Sequence, residues 1–146
     1  MIPVFVLTVS FIAFRIAGLA VPYFAHWQLS LRAALGVMFL LTASAHWGKR
    51  RADLIRMVPR TLGNAPLWVT LTGVAELLIA LGLQIPFIAL PTAAFAAAML
   101  ICIFPANVKA AREHLSIAGR PVPALLPRLA IQAVFLTALT ASVWPK

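Results

Sequence analysis

Five apolar stretches constrain this chain of 146 residues more than any other feature. An α-helix needs about 20 apolar residues to cross the hydrocarbon core of a bilayer, and each stretch is close to that length. Charged residues make up only 10% of the chain, whereas a soluble domain carries roughly 25%. A chain with so few charges cannot cover a water-facing surface, so the sequence predicts an all-α integral membrane helical bundle with five transmembrane helices. The predicted spans are residues 3–23, 29–47, 66–84, 86–105 and 125–144.

Pro86 lies between the third and fourth spans. A continuous helix over residues 66–105 would be about 60 Å long, twice the thickness of the hydrocarbon core. Because proline breaks helices, we expect a tight hairpin there. The first span contains Arg15 and has no basic segment before it, so we expect a retained helix rather than a cleaved signal peptide. Residues 1–146 then form a single transmembrane domain.

The basic residues predict the orientation of the chain. The formal net charge is +9, and most lysines and arginines lie between spans two and three and between spans four and five. Only Arg32 and Lys146 lie on the opposite side. Short basic loops stay in the cytoplasm, so we expect the N-terminus in the cytoplasm and the C-terminus outside, in a bacterial cytoplasmic membrane. No basic stripe alternates with aromatic residues, so the expected partners are the lipid bilayer and a membrane protein or second copy of the chain, not nucleic acid.

Both basic loops contain helical patterns. In KRRADLIRMVPR, the apolar residues Leu54, Met57 and Val58 recur at helical spacing, as in a helix that lies on lipid headgroups. The segment ANVKAAREHL predicts a continuation of span four, with Lys109 and Glu113 paired at i,i+4. We interpret both loops as orientation signals and lipid anchors.

Glu76 is the carboxylate of the third span and is a candidate site residue. An ionised carboxylate at this depth costs about 3 kcal/mol on insertion scales, so it needs a proton, a cationic partner or water. Arg15 lies at a similar depth in span one, about 5 Å away along the membrane normal, and we expect the two to pair. Gly73 shares the small, polar face of Glu76. Whether these residues only fix the helices or also bind a ligand or proton stays open.

Other polar residues are weaker candidates. His46 ends span two, and Arg128 and Gln132 lie at i,i+4 in span five, where we expect them to face the bundle interior. Cys102 is the one cysteine, so no intramolecular disulfide or dithiol chemistry is possible. No spacing of histidines and carboxylates builds a metal site.

The order of several motifs resembles the DoxX-like family of small membrane proteins. The segments are LRAALGVMFLLTASAHWGKRRADLIRMVP, TGVAELLIALGL, FPANVKAA and GRPVPALLPRLAIQ, which together extend over about two-thirds of the chain. The resemblance implies a four-helix core over residues 29–144 with an additional N-terminal helix over residues 3–23. It also draws attention to the G-x-x-E of Gly73 and Glu76, to His46, and to Asn107 in the P-A-N motif.

Three functions are compatible with these observations. The first is an accessory or assembly subunit of a membrane complex, in which redox chemistry is one option because DoxX-like proteins are linked to it. The second is binding or transformation of a small hydrophobic molecule, such as a quinone, with Glu76 as the hydrogen-bonding or proton-accepting group. The third is a proton-coupled transporter. The small number of spans, five, and the lack of an evident inverted repeat argue against it. No cofactor is predicted apart from the quinone of the second hypothesis, and enzymatic activity is left open.

Overall fold

The computed structural model describes residues 2–144 and consists mainly of helices. Lys146, which entered the charge argument, lies outside the described residues. Short 3₁₀ helices cover Pro22–Ala25 and Arg60–Leu62, and a small antiparallel hairpin has strands β1, Ser116–Ile117, and β2, Arg120–Pro121. The α-helices are α1 Ile2–Ala17, α2 Trp27–Ser44, α3 Arg51–Met57, α4 Ala65–Gly82, α5 Ala89–Cys102, α6 Phe104–Arg112 and α7 Leu125–Ser142.

Among residues 2–144, four helical segments are long and apolar enough to cross a membrane. They are α2, α4, the 24-residue segment Ala89–Arg112 formed by α5 and α6, and α7. The predicted hairpin at Pro86 is confirmed, since α4 ends at Gly82 and α5 begins at Ala89. The predicted helical continuation of span four is also confirmed as α6, which begins after a break at Ile103 with Pro105 in its first turn.

The four long segments form a closed bundle. Helix α2 packs against α4 and α7, α4 packs against α5, and α5 packs against α7. The core between them contains Leu35, Phe39, Ile79, Ala96 and Leu139, each almost completely buried. Large hydrophobic side chains also cover the outside of the bundle, which suits lipid rather than water.

Helix α1 lies outside this bundle and packs mainly against α2. Its 16 residues are about 24 Å long, shorter than the predicted span 3–23 and than the hydrocarbon core. The helix ends at Ala17 because the chain turns back tightly at Gly18. A Cβ at Gly18 would lie 2.5 Å from the Phe24 carbonyl oxygen, so only glycine permits this approach.

The two basic loops fold against each other on one side of the bundle. The predicted helix in the first loop is confirmed as α3, which packs against α4 and α6. Lys109 donates to the carbonyl oxygens of Arg56 and Val58, at 2.7 and 2.8 Å. The predicted Lys109–Glu113 pair is therefore wrong, because the unpaired carbonyls at the end of α3 offer the ammonium two acceptors within reach.

The hairpin of β1 and β2 completes this basic side, which the sequence did not predict. Its turn places Ala118 and Gly119 at positive φ, 51° and 74°. Asp53 of α3 accepts a hydrogen bond from the Ala118 amide at 2.8 Å and another from Arg56. One carboxylate therefore joins the hairpin to α3.

Candidate functional site

Glu76 lies on the buried face of α4. The residue is only 7% exposed, and Gly73, Ile79 and Ala80 are buried on the same helix. Helical side chains lean toward the N-terminus of their helix, so the carboxylate reaches toward the start of α4. No described residue forms a hydrogen bond with its Oε2 atom, which is buried. A buried polar atom without a partner calls for a physical explanation.

His46 is the neighbour of that carboxylate. It lies two residues after the end of α2, is 8% exposed, and places Nε2 3.4 Å from Glu76 Oε2. Its Nδ1 lies 2.6 Å from the carbonyl oxygen of Val69, one turn after the start of α4. The side chain of His46 therefore bridges the two helices at their meeting point.

The bond to Val69 fixes the protonation of the ring. A carbonyl oxygen only accepts, so Nδ1 carries a hydrogen. Nε2 then either bears a second proton and faces a carboxylate, or bears none and faces a protonated carboxyl. Two bare acceptors at this distance would repel each other, so both favourable states hold one proton between Nε2 and Oε2.

Gly73 makes room for His46. A Cβ at Gly73 would lie 2.7 Å from the Cβ of His46 and 2.9 Å from Cη2 of Trp47. Both distances are too short for any side chain, so α4 needs glycine where the imidazole crosses it. The G-x-x-E motif thus combines the close approach of the histidine with the carboxylate that faces it.

Arg51 holds the histidine loop against α4. Its guanidinium donates to the carbonyl oxygen of His46 at 2.8 Å, to that of Pro66 at 3.1 Å and to the Thr70 hydroxyl at 2.9 Å. These bonds connect the first residues of α3 with the first turns of α4. Arg51 is therefore a positioning residue for His46, which sequence reasoning missed.

The expected pairing of Arg15 with Glu76 is wrong. Arg15 is exposed, and its Nη1 donates to the carbonyl oxygens of Phe24 and Ala25 at 3.1 and 2.7 Å. The depth estimate failed, because Arg15 binds at the start of α2 and Glu76 faces His46 at its end. The direction of the Glu76 side chain and the glycine opposite His46 are the signals that point to the correct partner.

The remaining candidates form a separate polar cluster between α6 and α7. Arg128 donates to the Asn107 side-chain oxygen at 2.6 Å and to the Pro123 carbonyl at 3.2 Å. Gln132 donates to the Leu100 carbonyl at 3.2 Å. These bonds join α7 to α5 and α6, so the cluster has a structural role. Within residues 2–144, no three histidine, cysteine or acidic side chains lie close enough to share a metal ion.

Comparison with known proteins assigns a family. A family model described as a domain of unknown function, DUF8561, matches residues 35–143, about three quarters of the chain. The chain belongs to this family. The matched region contains His46, Gly73 and Glu76 and leaves α1 outside. No curated protein and no solved structure matches the chain.

Proposed function

We propose that this protein is an integral membrane protein that binds a small hydrophobic molecule of the quinone class through Glu76 and His46. The observation that carries the proposal is the buried Oε2 atom of Glu76, to which no described residue donates a hydrogen bond. It lies 3.4 Å from His46 Nε2, and we infer that the one proton of this pair is shared with a bound ligand.

The chemistry of the pair matches both forms of a quinone. A quinone carbonyl accepts a hydrogen bond, which the shared proton supplies. A quinol hydroxyl donates one, which the ionised carboxylate accepts. The side chains of His46 and Glu76 are 11% and 10% exposed and Oε2 itself is buried, so a polar head group reaches the pair by displacing neighbouring side chains. The apolar surroundings suit the tail of such a molecule.

The setting in the membrane belongs to the same proposal. We assign the chain to a bacterial cytoplasmic membrane, with its two basic loops in the cytoplasm. We also assign α1 as a fifth membrane helix, whose N-terminus lies in the cytoplasm. The resemblance to DoxX-like proteins supports this architecture, since it combines a four-helix core with an additional helix. It also favours a redox molecule as the ligand.

An accessory or assembly subunit is the second candidate function. Helix α1 carries an exposed apolar stripe at the alternating spacing of three and four residues that suits a partner helix. The stripe consists of Ile2, Phe5, Val9, Ile12 and Ile16, each about half exposed or more. A membrane protein that covers this stripe would make the chain a subunit of a larger complex.

Native mass spectrometry of the gently extracted protein tests the first function. We expect wild-type protein to retain a small hydrophobic molecule and Glu76→Gln to lose it. Glu113→Gln is the matched control, because it makes the same chemical change at an exposed residue. A small molecule retained equally by all three proteins would contradict the proposed site. A membrane protein retained by all three, with no small molecule, would favour the accessory subunit.

A thermal-shift measurement gives an independent readout. A short-chain quinone that binds only the folded protein raises its melting temperature, by an amount that follows the ligand concentration relative to Kd. We expect this rise in wild type and Glu113→Gln and its loss in Glu76→Gln. An equal rise in all three would show that the quinone partitions into detergent or protein without using Glu76.

A further inference from the structure

A cleft of about 340 Å³ lies at the end of the bundle that carries the basic loops. Its volume is within the range of roughly 300–1,000 Å³ that is typical of small-molecule sites. Two cationic or ionisable side chains, Arg112 and His114, form one part of its wall. The remaining wall is apolar and consists of Ala111, Val122, Ala124 and Leu125. The cleft therefore offers positive charge beside an apolar surface.

The cleft lies where two candidate membrane spans end. One candidate span ends at Arg112 and the next begins at Leu125, and both residues line the cleft. The ends of membrane spans lie at the level of the lipid headgroups. The cleft thus opens where the phosphate of a phospholipid meets the start of its acyl chains.

His114 adopts a backbone conformation that a histidine rarely has. Its φ is +48°, in the left-handed region that favours glycine. It follows the end of α6, and Leu115 N–H bonds to the Ala110 carbonyl at 3.0 Å, which is the closing bond of a common helix ending. Glycine is the usual residue at this position, and histidine here is strained. His114 lies two residues after Arg112, and both side chains line the cleft.

We propose that this cleft binds the headgroup of an acidic phospholipid. The guanidinium of Arg112 offers a planar fork that matches two phosphate oxygens, and the imidazole of His114 donates a further hydrogen bond. The apolar wall contacts the glycerol and the first methylene groups. A zwitterionic phosphatidylcholine brings its own ammonium group and binds more weakly. This site is distinct from the Glu76–His46 pair, whose residues do not line it.

Native mass spectrometry with defined lipids tests the site. The full chain is titrated with dioleoylphosphatidylglycerol and, separately, with dioleoylphosphatidylcholine. We expect the chain to bind phosphatidylglycerol more tightly than phosphatidylcholine. Arg112→Gln should weaken the binding of phosphatidylglycerol about fivefold, because one basic residue near an anionic lipid surface contributes about that factor to the affinity. Arg120→Gln is the matched control, because Arg120 is an exposed arginine of the neighbouring hairpin that does not line the cleft. An equal loss in both variants would overturn the proposal, since it would show a general charge effect.

His114→Gly separates binding from folding. Glycine relieves the strain at φ +48°, so we expect an unchanged or higher melting temperature together with weaker phosphatidylglycerol binding. Wild-type lipid binding in both His114→Gly and Arg112→Gln would overturn the site. Competition by inorganic phosphate as strong as that by the lipid would overturn the lipid assignment in favour of a free-phosphate site.

Discussion

Among the described residues, four polar side chains are buried, and His46 and Glu76 are the two of them that ionise. Their protons are coupled because the Val69 carbonyl fixes the hydrogen on Nδ1 of the imidazole. The pair is therefore neutral overall in both favourable states, which lowers the cost of its burial in an apolar bundle. Arg15 has no part in this balance, since its guanidinium binds two carbonyls beyond the end of α1.

Substitution of each partner of the pair should have a different effect on stability. The amide of Glu76→Gln can donate to a bare His46 Nε2, so we expect a change of less than about 1 kcal/mol in the free energy of unfolding. His46→Ala leaves the carboxylate buried without its neighbour and should cost about 3 kcal/mol. Equilibrium unfolding in mixed micelles measures both.

The double variant provides the control for this comparison. Glu76→Gln in the His46→Ala background removes the stranded charge and should recover part of the lost stability. If the two effects simply add, the residues are not coupled and the shared proton is excluded.

Gly73→Ala should lower stability by about 1–3 kcal/mol, the usual range for overpacking. The added methyl would lie 2.7 Å from the Cβ of His46, so α2 and α4 must separate. Gly48→Ala is the control, because its methyl meets just the Ser44 carbonyl, at 3.2 Å. Equal thermal stability of Gly73→Ala and wild type would show that the helices do not meet as closely as the structure has them.

At the scale of elements, the basic loops are folded structures rather than solvated tethers. Helix α3 has seven residues, too few to be stable in water without tertiary contacts. Lys109 of α6 satisfies the carbonyls at its end, and Asp53 fastens the hairpin to it. Charged residues of the two basic loops thus also hold this side of the bundle together.

Loss of the Lys109 ammonium should loosen α3. We expect Lys109→Met to raise amide hydrogen exchange of residues 51–58 about tenfold, which corresponds to a loss of about 1.4 kcal/mol in local stability. Lys49→Met, at an exposed lysine of the same loop, is the control and should leave the exchange rates unchanged. Unaltered exchange in Lys109→Met would mean that its two hydrogen bonds do not support the helix.

The contact between Asp53 and the hairpin should depend on pH. The Ala118 amide and then the Arg56 guanidinium hold the pKa of the Asp53 carboxyl below its ordinary value of 3.8. Since the folded pKa lies below the unfolded one, this contribution to stability is complete above pH 3.8 and is lost as the pH falls through the folded pKa. The chemical shift of the Ala118 amide proton should follow this titration, with a midpoint below 3.8.

Asp53→Asn is the control for this titration, because it removes the ionising group and keeps a side-chain acceptor. The pH dependence of the Ala118 signal should disappear in this variant. A signal that titrates identically in wild type and variant would assign the transition to another group.

At the scale of the whole molecule, four long segments close a bundle and α1 lies against its outside. The position of α1 decides between five crossings and four. Its length of about 24 Å is less than the hydrocarbon thickness, so crossing would require local thinning of the bilayer or flanking residues that reach the surface.

Labelling of single cysteines in intact cells measures the topology, in a Cys102→Ser background. We expect an impermeant maleimide to label Phe87→Cys in intact cells. Ala52→Cys should be labelled only after the cells are permeabilised, because Ala52 lies in a basic loop. Pro3→Cys should behave like Ala52→Cys if α1 crosses the membrane. Direct labelling of Pro3→Cys would show that the chain crosses the membrane four times rather than five. Direct labelling of Ala52→Cys would show that the orientation is the opposite of the expected one.

The sequence by itself determined the helical architecture of this protein. Three local features of the sequence carry this information: the apolar runs of membrane length, Pro86 between two of them, and the uneven distribution of basic residues. Each depends on the solvent or on the backbone close to it in the chain. The helices α3 and α6 in the basic loops follow for the same reason, since helical periodicity is a property of a short segment. The helix boundaries differ from the predicted ones where tertiary contacts determine them. At Gly18, for example, α1 has ended because the backbone passes close to the Phe24 carbonyl.

The tertiary structure alone decided which polar groups meet. Arg15 binds carbonyls just before the start of α2, whereas Glu76 faces His46 just after its end, so α2 separates the two side chains along its length. Lys109 binds the end of α3 instead of Glu113, since the carbonyls of Arg56 and Val58 lie within its reach. Such pairs depend on which helix faces which neighbour and on the direction of each side chain. Residue spacing within one helix contains no information about either.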